Sequence, residues 1–484
     1  MQDTKDLTGQ TSGVPVPDAG AAKDSALAHV AMRDDEGGIR NEFIEAVSQA
    51  ILAGAADDLR GVVAELHEAD LGDLISALDH DLRPRLVELT GDDFDFTALT
   101  EVDDAMREDI LEELPSATVA EGVRDLDSDD AVALLQDLPE ENQEEILGQL
   151  PELERRALKR SLDYPEDSAG RRMQDEYIAV PPGWTVGATI DYMRDTPDLP
   201  ERFYEIYAVD AQRRFQGAIP LDRLMRARRP VAVSELVEEE RRRVRATDDQ
   251  EEVARIFGKY NLVAAPVVDD DDRLVGVITI DDIVDVIEEE AEEDIRALGG
   301  VKSDEELSDP VWMIARSRFN WLLINLGTAF LASSVLGLFE GELQKMVALA
   351  VLAPIVASQG GNAATQSMTV AVRALATREL TSKNGWRVVK RELLVGFVNG
   401  LAFALVTGVV AAAWFRVTDL GVVIGLAMLC NMLAAAAAGI VIPLTMQRLK
   451  FDPAVASGVF VTTVTDVVGF FSFLGIATLW FGLK

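Results

Sequence analysis

The chain has 484 residues, with 45 Lys and Arg against 84 Asp and Glu, a formal net charge of −39. That balance excludes a nucleic-acid footprint, which needs clustered basic side chains. A single cysteine (Cys430) and 3 histidines exclude a disulfide framework and a Cys- or His-rich metal centre.

Residues 1–38 are rich in Gly, Ala, Asp and Pro and lack the apolar stretch of a signal peptide. They are expected to form a disordered acidic tail, with the soluble half that follows in the cytosol. Residues 39–165 read as a helical N-domain. The motif Leu-x-x-Leu-Pro recurs at Leu111–Pro115, Leu135–Pro139 and Leu147–Pro151. Each proline ends one short amphipathic helix and starts the next, which predicts an α-solenoid-like array. Asp125, Asp127, Asp129 and Asp130 fall between helices, where N-capping is the commonest use of an aspartate.

Two α+β units follow, at 170–235 and 236–288, each ordered strand, helix, strand, strand, helix. The first reads Tyr177–Val180, helix Val186–Arg194, Glu205–Asp210 and Phe215–Ile219. The second reads Arg243–Ala246, helix Asp249–Tyr260, Ala264–Asp269, Leu274–Thr279 and a helix opening at Ile280. The pair resembles a tandem CBS module, a regulatory domain that binds adenine nucleotides or ions. Such modules often place a Thr on phosphate and an Asp three residues later on ribose, here Thr279 and Asp282. The first unit departs from the pattern, with Pro220 and Arg223 in those places.

Residues 282–312 form an acidic connection whose first part reads as an amphipathic helix aimed at the apolar half. Its acids recur at i, i+3 and i+4, so carboxylates crowd one face and repel by a few tenths of a kcal/mol per exposed pair. A divalent cation reverses the sign of that interaction. Ion present, acidic surfaces meet; ion absent, they part.

Residues 316–484 are different in kind. Pro310–Lys484 carries 13 basic and 7 acidic residues, which leaves 32 basic and 77 acidic for the rest. Five apolar runs approach the ~20 residues that cross a bilayer: Phe319–Phe339, Leu343–Val372, Leu393–Phe415, Leu420–Met446 and Ala454–Phe481. Basic residues recur on every second loop, so the N-terminal half lies inside and the C-terminus outside. Trp321, Trp414 and Trp480 sit near span ends, where aromatic belts lie. Pro354 and Gly360-Gly361 predict an interrupted second span lining a cavity. Asn362 and Gln366 lie one turn apart there, and Asn325, Asn399 and Asn431 add one amide to each of three other spans. Any one of them alone reads as an interhelical hydrogen bond. Together with Asp466 they read as a polar lining.

Asp466 stands mid-way along the last run, which holds no Lys, Arg or His. A charge at the bilayer centre costs about 2.5–3.5 kcal/mol on insertion scales, so it is expected to face water, a partner or an ion. Gly458, Thr462 and Asp466 stack at i, i+4 and i+8. A Thr oxygen and a carboxylate are hard donors that suit Mg2+ or Ca2+.

An acidic helical domain, paired CBS units, an acidic connecting helix and five spans in this order resemble the MgtE family of magnesium transporters and channels. The membrane pieces that carry the resemblance are Pro354…Gly360-Gly361-Asn362-Ala363-Ala364-Thr365-Gln366-Ser367, Arg373–Leu380 and Phe451-Asp452-Pro453-Ala454…Thr462-Thr463-Val464-Thr465-Asp466. Val459 departs from the Pro expected after Ser-Gly. The resemblance implies a homodimer with the ion path between two membrane domains. Asp466 of each copy would hold hydrated Mg2+, with the Thr462 carbonyl one turn away. The connecting helix would act as a plug, shut when cytosolic Mg2+ bridges acidic faces. It implies regulatory metal roles for Asp249, Glu251, Asp282, Asp285, Glu290, Glu293, Asp294 and Asp129, and ATP at the CBS module. No Gly-x-x-x-x-Gly-Lys-[Ser/Thr] loop occurs, so transport is expected to be passive. The rival readings are a transporter of Co2+, Mn2+ or Ca2+ and a membrane-anchored nucleotide sensor without a pore. A CBS-regulated anion channel is disfavoured by a membrane charge that is negative, and no nucleophile–base set suggests an enzyme.

Overall fold

A computed structural model describes residues 31–34, 37–197, 199–200, 202–238, 242–302, 305, 310–380 and 384–483. Most of the expected N-terminal tail lies outside them. The chain divides into two units, Met1–Ile283 and Val284–Lys484.

The first unit opens with helices α1 (Asn41–Ala53), α2 (Ala56–Val63), α3 (Glu68–Ala77), α4 (Arg83–Thr90), α5 (Asp104–Glu113), α6 (Ser116–Arg124), α7 (Ser128–Gln136), α8 (Glu140–Gln149) and α9 (Glu152–Leu162). The prolines do what their spacing predicts: Pro115, Pro139 and Pro151 are the N-caps of α6, α8 and α9. A ring that fixes φ and lacks N–H suits a helix start. The buried leucines of the three motifs, among them Leu111, Leu114, Leu135, Leu138, Leu147 and Leu150, share one core with Phe43, Val47, Ile51 and Leu86. The aspartates between α6 and α7 are not uniformly caps. Asp127 stands at the N-cap of α7 without a side-chain capping bond, and Asp129 and Asp130 occupy its first turn, where the helix dipole favours negative charge.

Each CBS unit is a three-stranded sheet. In the first, β1 (Ala179–Val180) pairs parallel with β2 (Glu205–Val209), which pairs antiparallel with β3 (Phe215–Pro220); α10 (Val186–Asp195) makes the crossover and α11 (Leu221–Arg226) follows. In the second, β4 (Val244–Arg245), β5 (Ala264–Val268) and β6 (Leu274–Thr279) repeat the pattern around α12 (Gln250–Tyr260). Tyr207, Phe215 and Ala218 of one sheet share a core with Ala264, Val268, Leu274 and Val277 of the other. Helix α13 (Ile280–Gly299) then runs unbroken for 20 residues, across the division between the units.

The second unit holds α14 (Val311–Leu338), α15 (Glu340–Lys345), α16 (Val347–Ala376), α17 (Gly385–Phe415), α18 (Thr418–Arg448) and α19 (Pro453–Phe481). Five of these are long and apolar enough to cross a membrane. Helix α18 is the centre: 56% of its most apolar window is buried, against 6% for α14. Leu349, Leu352 and Val356 of α16, Val423 and Met428 of α18, and Phe473 and Leu474 of α19 form its core. The expected interruption of the second span is not found. Helix α16 continues through Pro354 and the glycine pair for 30 residues, because its neighbours hold the backbone in place. Small residues set the spacing. A Cβ on Gly439 would stand 2.7 Å from the Ser367 Cβ, and one on Gly396 2.7 Å from the Ala436 Cβ. Helices α16 and α17 are therefore both seated tightly on α18. At Gly300 the backbone turns left-handed (φ +69°), and a Cβ there would overlap the Trp321 indole nitrogen.

Candidate functional site

Asn431 and Asp466 stand in different polar settings on the apolar helices, and neighbouring side-chain size separates them. Asn431 of α18 is fully buried. Its Nδ2 donates 2.8 Å to the Val356 carbonyl of α16. Gly360 and Gly469 make room for it, since a Cβ on Gly360 would overlap that nitrogen and one on Gly469 would stand 2.8 Å from it. This amide joins three helices and does not line a passage.

Asp466 is the reverse. It sits half-buried on α19 and has no hydrogen bond or ion pair among the described residues. Thr462 and Gly458 lie one and two turns back on the same face, also half-buried, and nothing stands within 4 Å of a Cβ built on Gly458. The Thr462 hydroxyl donates 3.0 Å to the Gly458 carbonyl, and the Thr462 carbonyl accepts from Thr465 Oγ1 at 2.9 Å. Helix α16 meets α19 where Gly361 approaches Thr465: a Cβ built on Gly361 would stand 3.9 Å from Thr465 Oγ1. The exposed face of α16 carries Ser358, Asn362, Thr365 and Thr369, a polar stripe at i, i+4, i+7 and i+11. Thr365 and Thr369 return their hydroxyls to the Gly361 and Thr365 carbonyls at 3.0 Å each, which leaves Ser358 and Asn362 as the groups that hydrocarbon cannot satisfy.

Asn362 and Gln366 are brought together, but in a groove whose lining omits Asp466, Thr462 and Gly458. This groove, about 400 Å3, lies between α16 and α17 over α18 and is lined by Gln359, Asn362, Gln366, Ser367, Glu392 and Asn399 among others. Glu392 stands one residue before the third span expected from Leu393. Because α17 starts at Gly385, Glu392 falls within its helical run. The signal available was an acid between Arg391 and an apolar run, where only basic residues favour the inner side.

In the first unit, Asp129 and Asp282 lie close together, with Asp130 as a third member. Asp282 accepts from the Thr279 hydroxyl at 2.9 Å and from its N–H at 3.3 Å. Gln174 Nε2 donates to Asp129 at 3.4 Å. Burial, then the charges of Asp282 and Asp130, hold the Asp129 carboxyl well above its ordinary value. Burial and Asp282 push Asp130 up to about 7, and burial and Asp281 raise Asp282. Like charges are thus confined together, a setting that a cation relieves. Thr279, the expected phosphate contact, spends its hydroxyl on Asp281 and Asp282.

The other acids are more scattered. Asp249 is the N-cap of α12, accepting from the N–H groups of Glu251 and Glu252, and Glu251 is exposed. Asp285 and Glu293 are exposed on α13, and Glu290 is half-buried. Asp294 is raised by burial and by the charge of Asp452, which caps α19 through a 2.7 Å bond from Ala454 N–H. In the sequence Asp452 stands out only as part of the Phe451–Ala454 motif. Among the described residues no three His, Cys, Asp or Glu side chains converge tightly enough to hold a bare metal ion.

A basic pocket of about 540 Å3 is a further feature of the first unit. Arg160, Arg213, Arg273, Tyr164 and Tyr177 line it with Asp175 and Asp269. Arg213 Nη2 donates 2.5 Å to the Tyr177 hydroxyl, which donates 3.1 Å to the Leu274 carbonyl. Three guanidinium groups beside two rings suit an anionic, aromatic ligand.

Comparison with known proteins gives a consistent result along the chain. Residues 353–476 match the MgtE family described as "Divalent cation transporter", residues 66–167 the MgtE intracellular N domain, and residues 233–289 the CBS domain. The magnesium transporter MgtE of Bacillus subtilis is 30% identical over 439 residues, 90% of this chain and 97% of that protein. The magnesium transporter MgtE of Enterococcus faecalis is 35% identical over 67% of this chain and 71% of its own. That of Thermus thermophilus is 37% identical over 65% and 70%. Among solved structures, the soluble part of a magnesium transporter aligns with 52% of this chain and 98% of its own length, at TM-score 0.46 and 26% identity. The cytosolic domain of the Mg2+ channel MgtE in complex with ATP aligns with 50% of this chain and 99% of its own, at TM-score 0.46 and 32% identity. The chain belongs to the MgtE family of magnesium transporters, multi-pass membrane proteins with an intracellular N domain.

Proposed function

We propose that this chain is a Mg2+-selective, passive influx pathway of the plasma membrane, built by two copies around Asp466 and closed by cytosolic Mg2+. The observation that carries this reading is the unpartnered, half-buried Asp466 beside the exposed polar stripe of α16. A second copy laid over α16 and α19 would take both stripes out of lipid and enclose water between them. Mg2+ dehydrates reluctantly, so the contacts of Asp466 and of the Thr462 and Gly458 oxygens would run through its water shell. The engaged Thr462 carbonyl fits contact through water better than direct ligation. The membrane potential supplies the drive, roughly 4.6 kcal/mol per 100 mV for a dication.

Closure would be read by carboxylates in two places. Asp129, Asp130 and Asp282 form one acidic group, and Asp294 with Asp452 forms another. Each is too sparse for a bare ion and suits a hydrated one, with Asp285, Glu290 and Glu293 adding to the field along α13. Asp249 and Glu251 would contribute from the start of α12. The nucleotide of the CBS module is assigned to the arginine–tyrosine pocket, where charge and rings converge, while Thr279 and Asp282 serve the acidic group.

The test is Mg2+ flux into liposomes containing the purified chain, with Co2+, Mn2+ and Ca2+ as competitors. Asp466→Asn should abolish the flux. Unchanged flux in that variant would refute the pore role of Asp466, absence of flux through the unsubstituted chain would favour a non-conducting sensor, and a competitor carried faster than Mg2+ would reassign the ion.

A further inference from the structure

The groove between α16 and α17 is lined by none of Asp466, Thr462 and Gly458 and shares only Asn362 with the exposed stripe of α16. Its floor is Met432 and Ala436 of α18. Its walls are held by close contacts at Gly439 and Gly396, so the cleft is set by tight packing on both sides. Within it, Glu392 has one partner, the Ser367 hydroxyl, which donates 3.0 Å to Oε2. No Lys or Arg pairs with it among the described residues. The amides of Gln359, Asn362, Gln366 and Asn399 make no side-chain hydrogen bond among the described residues. Glu392 is half-buried and Asn362, Gln366 and Asn399 are exposed toward the cleft and its mouth, and a carboxylate without a counter-charge and amides without partners call for something polar to fill the space between them.

The lining selects the occupant. Acyl chains offer nothing to amides, which continue along the groove to Gln359. An anion is opposed by Glu392. A bare cation is far too small for about 400 Å3. A dication with six waters needs roughly 180 Å3 at ~30 Å3 per water, which leaves room for a few bridging waters. We propose that this groove is a second cation site within each membrane domain. It would take a hydrated divalent cation through its water shell, with Glu392 as counter-charge and the Gln366 and Asn399 amides as acceptors. The site is independent of whether Asp466 lines the pore.

The experiment uses Mn2+ as an electron-dense stand-in, located by anomalous X-ray scattering in crystals of the full-length protein. The background is Asp466→Asn, which removes the carboxylate of the proposed pore. The proposal expects an anomalous peak in the groove, roughly 4–5 Å from the Glu392 carboxylate as contact through one water requires. The peak should be lost in Asp466→Asn/Glu392→Gln and kept in Asp466→Asn/Glu392→Asp. A groove without Mn2+ in the background variant overturns it. So does a peak that survives Glu392→Gln, or density for a lipid chain or a helix of a second copy. Flux through Asp466→Asn tests the pore reading separately, so the two can fail independently.

Discussion

Asn431 and Asp466 are both strongly polar residues in apolar helices, and the molecule treats them in opposite ways. Asn431 is sealed between two glycines and spends its donor on a neighbouring carbonyl. Asp466 stands at a half-open face with no partner in its own chain among the described residues. Polarity alone does not tell an enclosed residue from one left open. The size of the residues opposite does, because a polar group can be enclosed only where a neighbour gives up its Cβ.

The sharpest way to break this comparison is to exchange the consequences of substitution. Asp466→Asn should reduce Mg2+ flux to the background of empty liposomes and leave thermal stability in detergent unchanged. A large stability loss would mean that Asp466 is a packing residue after all. Asn431→Leu should do the reverse in kind, costing about 1–3 kcal/mol for the lost bond and the altered shape, seen as a lower melting temperature. Gly360→Ala should cost a similar amount, about 1–3 kcal/mol, because its Cβ has no space beside Asn431. Wild-type stability in that variant would show that α16 and α18 are more loosely seated than described.

The acidic groups extend the comparison to the soluble side. Asp129, Asp130 and Asp282 hold their protons more tightly than an unfolded chain does. Their contribution to stability is therefore full below about pH 4 and lost as pH rises through about 7. In Mg2+-free buffer the chain should melt at a lower temperature at pH 8 than at pH 5. Added Mg2+ should narrow the gap, and Asp130→Asn should flatten it. A melting temperature that climbs steadily with pH would contradict the assignment. The smallest expected effect is on gating. Replacing Glu290, Glu293 and Asp294 by Ala should raise the internal Mg2+ needed to stop influx, measured in preloaded liposomes.

Much of this was legible in the sequence because it rests on periodicity and punctuation. Leu-x-x-Leu-Pro marks the helix starts of the N-domain, and the strand–helix alternation marks the CBS pair. Five apolar runs with alternating basic loops mark the spans. What was illegible depends on neighbours. Pro354 reads as a break, yet α16 is continuous because packing holds it. Glu392 reads as the last residue of a loop, yet α17 begins seven residues earlier at Gly385. Asn362 and Asn431 look alike in a hydropathy trace, and only the positions of Gly360 and Gly469 separate a lining amide from a buried one. The Asp129–Asp282 proximity joins residues far apart in the chain, which local spacing does not encode.

The turn at Gly300 gives the molecule a built-in optical probe. Its missing side chain leaves the Trp321 indole lying directly against the backbone where α13 ends. Indole emission follows local polarity, so any loosening of that joint will redden the light from Trp321. Replacing the other tryptophans among the 6 by Phe would leave a single lamp at the connection. Its colour could then be followed in real time as Mg2+ is added or withdrawn.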